Sequence, residues 1–153
     1  MKVLMVCLGN ICRSPVAEGL LRQRAQEQEI SLKVDSAGTS NYHIGEQPDS
    51  RSMAHAKSKG TNISDLRARQ FTVEDFDQFD QIFVMDYSNY ENVAKLARNE
   101  DDLKKVDLLL NQLYPGENQS VPDPYFGGDE GFEQVYNMVD AAVGIYLKKL
   151  RNV

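Results

Sequence analysis

The stretch Lys2-Val3-Leu4-Met5-Val6-Cys7-Leu8-Gly9-Asn10-Ile11-Cys12-Arg13-Ser14-Pro15 constrains the fold more than any other. Val3 to Val6 form a continuous apolar run, the pattern of a strand buried on both faces. Gly9 and Asn10 follow, the residue types that best tolerate positive φ. Ser14-Pro15 reads as a helix start, with Ser14 as N-cap and Pro15 at the first helical position. Cys7 to Arg13 is therefore expected to be a tight loop between the end of a strand and the N-terminus of a helix.

Such a loop binds anions. The backbone N–H groups of Leu8, Gly9, Asn10, Ile11 and Cys12 would point inward, with the positive end of the helix dipole behind them. Arg13 adds a planar guanidinium matched to two phosphate oxygens. A cysteine at the mouth of such a loop is favoured as thiolate, and a thiolate beneath a phosphoryl group is a nucleophile aimed at phosphorus. A cysteine with an arginine six positions on is weak evidence by itself, because free cysteine is usually a small core residue. Strand, positive-φ residues, arginine and helix start together point to phosphate-binding catalysis rather than a structural turn.

The remainder alternates helices and strands. A helix is expected from Ser14 to about Gln28, with Ala17, Leu21 and Ala25 on its buried stripe. Leu32 and Val34 indicate a short strand, Ser36 to Asp49 a loop, and Asp49 to Lys59 a helix stopped by Gly60. Thr72 to Phe79 reads as a short helix. Ile82 to Met85 is a second buried strand, followed by a helix that Ser88 would cap with Glu91. Val106 with Leu108 to Leu110 is a last strand or a helical turn. Residues 111 to 131 hold three prolines and four glycines and read as a long loop, of the kind that is functional or disordered. A final helix spans about Gly131 to Leu150. This alternation predicts one α/β domain over 1–153 with a parallel sheet, and its ligands bind beyond the carboxyl ends of the strands.

Composition excludes several classes. A net charge of −6 argues against nucleic acid or an anionic membrane as partner. No apolar run approaches transmembrane length, and the N-terminal run is too short for a signal peptide. The two cysteines both lie in the loop, which fits a reducing, cytoplasmic setting. Cys12 is either small filler or a redox partner that forms a disulfide with Cys7 under peroxide. His43 and His55 have no ligand-spaced neighbours and read as surface or packing residues, so no metal is expected. Glu27, Glu29 and the acidic run at 100–102 read as solvated faces.

Cleaving a phosphate ester needs a proton for the leaving oxygen, and nothing in the loop supplies it. Asp123, before Pro124 and two aromatics in the long loop, is the best candidate for general acid. An Asx turn explains the same residue equally well. Asp86 can orient Arg13 or cap the next helix, and the sequence does not decide between them.

Cys7-Leu-Gly-Asn-Ile-Cys-Arg-Ser-Pro15 resembles the signature loop of the low-molecular-weight protein tyrosine phosphatases. Asp35-Ser36-Ala37-Gly38-Thr39, Arg67-Ala68-Arg69-Gln70, Met85-Asp86-Tyr87-Ser88-Asn89 and Asp123-Pro124-Tyr125-Phe126 resemble further family motifs. The resemblance spans essentially the whole chain. It implies a four-stranded parallel sheet of order 2-1-3-4 and hydrolysis of phosphotyrosine protein or small aryl phosphates to inorganic phosphate, without a cofactor. It implies a phosphocysteine on Cys7, Arg13 on the phosphoryl group and Asp123 as general acid, then base. Ser14 would donate to the Cys7 sulfur, and Asn10 would hold the loop with Ser36 as partner. A His usually follows in that network, and Leu66 stands in its place here. That departure bears on the loop's supporting hydrogen bonds and not on the chemistry.

Tyr42, Tyr125 and Phe126 match family positions that flank the pocket, and Phe126 stands where many members carry a second tyrosine. Leu8 and Ile11 are expected to expose side chains that grip a ring. A branch that dephosphorylates arginine carries Thr at the position of Ile11, so Ile11 favours tyrosine. Arsenate reductases on the same scaffold use additional cysteines after the third strand, and this chain has none there. A phosphopeptide-binding module that has lost catalysis is the rival of another class. Intact Cys7, Arg13, Ser14 and Asp123 argue against it.

Overall fold

The structure is a computed structural model and describes residues 1–125 and 128–152. Phe126 lies outside the described residues. β1 (Lys2–Cys7) runs up the middle of a four-stranded sheet. Val3, Met5 and Cys7 face one side of it and Leu4 and Val6 the other, and all five are buried. That double burial is why the strand reads as an unbroken apolar run.

The sheet is all parallel, in the order β2-β1-β3-β4, with β2 at Lys33–Gly38, β3 at Gln81–Val84 and β4 at Val106–Leu108. α1 (Arg13–Glu27) and α6 (Asp129–Arg151) pack on one face. α3 (Asp75–Gln78) and α4 (Tyr87–Ala94) pack on the other through Phe76 and Val93. α2 (Ser50–Ser58) joins the first layer through Ala56, and α5 (Glu100–Lys104) precedes β4. β1 has its sequence successors on opposite flanks, β2 on one and β3 on the other. The loop after Cys7 therefore opens at the switch point, where no crossing chain fills the crevice.

Several local expectations shift. β2 runs on through Ser36, Ala37 and Gly38, which pair with Met5, Val6 and Cys7, so these three are strand rather than loop. Tertiary pairing overrides the weak strand propensity of Ser and Gly. Gly38 is required for close approach: a Cβ there would stand 2.8 Å from the Leu8 carbonyl oxygen. α4 is capped by Asp86 with a reciprocal Asn89, not by Ser88 with Glu91. The short helix after Phe71 is confined to Asp75–Gln78. Val106–Leu108 is strand and Leu109–Gln112 a 3₁₀ turn, so both readings of that stretch hold in part. Asp102 is no solvated face: it is buried, and Arg98 donates to both of its oxygens.

Candidate active site

The loop after β1 has one residue in the left-handed region, Asn10 at φ 57°. Gly9 is not in that region. It is small because a Cβ would stand 3.0 Å from the His43 ring. Ser14 is not the N-cap either: α1 starts at Arg13 with Cys12 in the cap position and no side-chain cap bond. The Ser14 hydroxyl is instead turned back into the loop.

Its direction can be derived. The Arg69 N–H donates to Asn10 Oδ1 at 3.0 Å, which orients the Asn10 amide. Asn10 Nδ2 then donates to Ser14 Oγ at 2.8 Å and to Ser36 Oγ at 2.9 Å. An amide nitrogen only donates, so both hydroxyls accept there and keep their protons for other partners. Ser36 gives its proton to Glu18 Oε1 at 2.6 Å, and Ser14 points its own at Cys7 Sγ, 3.0 Å away. The Asn10 N–H adds a second donor to the sulfur at 3.3 Å. The Cys7 sulfur thus sits at the end of a fixed chain of donors rooted in a buried carboxylate.

Arg13 is 3% exposed and clamped. Its Nη1 donates to Asp86 Oδ2 at 2.6 Å and to the Val121 carbonyl at 3.0 Å. Asp86 Oδ1 meanwhile accepts from the Asn89 N–H. The two roles left open for Asp86 are both filled, one by each oxygen. Burial works against the Arg13 charge, but Cys7, Asp86 and Asp123 around it hold the pKa above its ordinary value.

Asp123 comes from the far end of the chain. The Val121 N–H donates to the Met85 carbonyl just beyond β3, which anchors the segment at the carboxyl end of the sheet. Asp123 Oδ1 then accepts from the Tyr125 N–H at 3.0 Å, an Asx turn, while Oδ2 lies 3.8 Å from Arg13 Nη2. The turn and the approach to the loop coexist. Cys7, Leu8, Gly9, Ile11, Cys12, Arg13, Tyr42, His43, Asp123 and Tyr125 enclose a cavity of about 240 Å³.

Residues 2–153 match the family model of low molecular weight phosphotyrosine protein phosphatase. The chain belongs to that family. It is 42% identical over 149 residues to the human low molecular weight phosphotyrosine protein phosphatase, covering 96% of this chain and 94% of the human one. A crystal structure of a protein tyrosine phosphatase from Entamoeba histolytica superposes with a TM-score of 0.93 at 37% identity, covering 99% of this chain and 97% of that one. The Drosophila arginine phosphatase superposes with a TM-score of 0.91 at 32% identity, covering 98% of each chain. The protein is accordingly a hydrolase of the low-molecular-weight protein-tyrosine-phosphatase type, with Cys7 and Arg13 in the family's CX5R spacing.

In this phosphatase Tyr42 and Tyr125 both reach the pocket mouth, Tyr42 at 74% exposed. Leu8 is exposed as expected, but Ile11 is buried: it packs with Cys12, Ala68 and Phe132 and shows only its edge to the cavity. Burial, with the Asp49 carboxylate close by, pushes the Cys12 thiol up to about 12. Among the described residues no helix is long and apolar enough to cross a membrane.

One participant escaped the sequence reading. Glu18 sits among apolar α1 positions, and its one available signal is that misplacement. From Arg13 to Leu21 the helix is buried on every side, Glu18 included. Burial raises the Glu18 pKa, while Ser36 and Arg22 act to lower it. Leu66, in place of the family's His, packs against the main core, and the Arg69 N–H serves Asn10. His43, read as a surface or packing residue, lines the pocket with its Nδ1 held 2.9 Å from Glu46. His55 pairs with Glu133 outside it.

Proposed function

We propose that this phosphatase hydrolyses aryl phosphate monoesters, phosphotyrosine foremost, through a phosphocysteine on Cys7. The observation that carries the proposal is the Cys7 sulfur, facing the pocket between two hydrogen-bond donors with the Arg13 guanidinium beside it. The loop N–H groups from Leu8 to Cys12 and the Arg13 guanidinium bind the phosphoryl oxygens. The Cys7 thiolate attacks phosphorus as the P–O bond to the phenol breaks, and the Asp123 carboxyl gives its proton to the departing oxygen. The Asp123 carboxylate then takes a proton from water as that water attacks the phosphocysteine. Inorganic phosphate leaves, and the Ser14 hydroxyl stabilises the returning sulfur charge. These groups complete the reaction without a metal or cofactor.

Tyr42 and Tyr125 flank the ring of the substrate, and Leu8 covers an edge. Cys12 is the candidate partner of an oxidised Cys7: a sulfenic acid at Cys7 condenses with the Cys12 thiol to a disulfide and water. A thiol held near 12 keeps little thiolate at neutral pH, so that closure is slow. Peptide mapping after mild peroxide detects it, and a Cys7 oxidised without any cross-link rules it out.

Phosphoarginine is the alternative substrate, supported by the superposition on the Drosophila arginine phosphatase. Ile11 in place of Thr favours phosphotyrosine. Turnover of phosphotyrosine peptide, phosphoarginine peptide and nitrophenyl phosphate by wild type and Cys7→Ser decides both points. Wild type is expected to prefer phosphotyrosine, and Cys7→Ser to lose turnover while still binding vanadate. Near-wild-type activity in Cys7→Ser removes the covalent route, and a phosphoarginine preference replaces the substrate class.

A further inference from the structure

Arg51 opens the second helix and belongs to none of the groups above, yet it touches both halves of the site. Its backbone N–H and Nε donate to Asp49 Oδ1 at 2.8 and 3.1 Å, and Nη2 donates to Asp49 Oδ2 at 3.1 Å. Asp49 caps α2 and donates its own N–H to the Ile11 carbonyl at 2.8 Å, so the pair is referenced to the phosphate loop. From that base Nη2 also donates to the Tyr125 carbonyl at 2.8 Å. The guanidinium lies 5.6 Å from the Tyr125 ring centroid and 5.0 Å from that of Phe132. Phe132 in turn packs on Ile11 and Cys12.

Tyr125 is the residue whose N–H holds Asp123 Oδ1. The other Asp123 oxygen, Oδ2, lies 3.8 Å from Arg13 Nη2, beyond hydrogen-bond length. An exposed ion pair alone contributes little to stability. A guanidinium fixed by a carboxylate fork and aimed at a carbonyl has defined geometry, which a flexible ammonium cannot reproduce.

We propose that Arg51 is a positioning residue: it clamps the Tyr125 end of the Asp123 turn to the phosphate loop, so that the Asp123 carboxyl stands at the leaving oxygen. The proposal rests on the reading of Asp123 as general acid. In Arg51→Met the proton donor is present but its segment wanders, so the loss scales with how much the leaving group needs a proton.

The test compares kcat/KM for phosphotyrosine and nitrophenyl phosphate in wild type, Arg51→Met, Arg51→Lys, Asp123→Asn and the double variant Arg51→Met/Asp123→Asn, with vanadate affinity alongside. Arg51→Met is expected to lose about tenfold on phosphotyrosine, a part of the range general acids supply, and much less on the nitrophenyl ester. Vanadate affinity should hold, and Arg51→Lys should recover little. The double variant should be no worse than Asp123→Asn, because a clamp has nothing to position once the acid is gone. Equal losses on both substrates, or losses that add in the double variant, overturn the clamp while leaving Asp123 as acid. An Asp123→Asn enzyme without leaving-group preference removes the acid reading, and the Arg51 proposal with it.

Discussion

Cys7, Asn10, Arg13 and Ser14 are all buried: Cys7, Asn10 and Ser14 are bonded to one another, and Arg13 to Asp86 and the Val121 carbonyl. Across the pocket the Asp123 side chain is 40% exposed and hangs from an Asx turn. The first region is held by strand ends, a helix start and a buried polar chain that leads to Glu18. The second is pinned at Val121 and at Tyr125, and Asp123 itself is open to water although Pro124 beside it is buried. In the proposed mechanism the first region binds the phosphoryl group, and its buried partners hold Cys7 and Arg13 in place for it. The second region, the proton donor of the proposed mechanism, is tethered. Damage to the first should act on every substrate, and damage to the second should depend on the leaving group.

Arg13→Lys is the largest test of that contrast. An ammonium cannot serve Asp86, the Val121 carbonyl and two phosphate oxygens at once. Loss of about 10³-fold is expected on phosphotyrosine and nitrophenyl phosphate alike, the scale of losing a preorganised donor. Retention within tenfold would mean that planarity is not used.

Asp123→Ala comes next. Phosphotyrosine turnover should fall about 10²-fold, at the low end for a general acid because water has access to the segment. A nitrophenolate leaves readily, so that ester should lose far less, and the falling limb of the kcat/KM–pH profile should vanish. Equal losses with an unchanged profile would reduce Asp123 to a loop-shaping residue, and Asp86 would be the next to test.

Ser14→Ala removes the hydroxyl that faces Cys7 Sγ at 3.0 Å. A loss of about tenfold is expected, consistent with one hydrogen bond to a charged group, and it should fall mainly on hydrolysis of the phosphocysteine. Rapid quench should trap more intermediate than in wild type. A variant that loses thermal stability alone would confine Ser14 to structure.

Glu18→Gln probes the root of the chain, and its effect on turnover should be smaller than these three. The fold raises the Glu18 pKa, so the native state binds that proton more tightly than the unfolded chain does. The contribution of that preference is full below the unfolded value near 4.5 and declines as pH rises toward the folded value. Gln does not titrate. Melting curves against pH should therefore show wild type losing stability relative to Glu18→Gln as pH climbs above about 4.5, and a constant gap would refute the shift.

Legibility followed locality. Much of residues 2–15 was readable because each signal there acts on its own neighbours: the apolar run, Asn10 in the left-handed region, and Pro15 in the first turn of α1, where it stands third rather than first. The Ser14 cap was misread because a buried hydroxyl takes the partner that the fold brings to it. Here that partner is the Cys7 sulfur, with Asn10 filling its acceptor side. The cap at Ser88 failed for a related reason, since Asp86 serves Arg13 and Asn89 together. Ser36 to Gly38 looked like loop by composition and became strand by pairing with β1.

From its own residues the chain determined a parallel α/β sheet and a tight strand-to-helix loop carrying Cys7 and Arg13. Backbone dihedrals, hydrophobic period and helix-start chemistry are all set by adjacent residues. Tertiary structure alone decided that Glu18 closes the polar chain, that Gly38 must yield to Leu8, and that Val121, bonded to an arginine 108 positions before it in sequence, brings Asp123 near that arginine. Buried polar groups must find partners. Which partner each one finds depends on strand register and layer packing, which put residues distant in sequence within a bond length of each other.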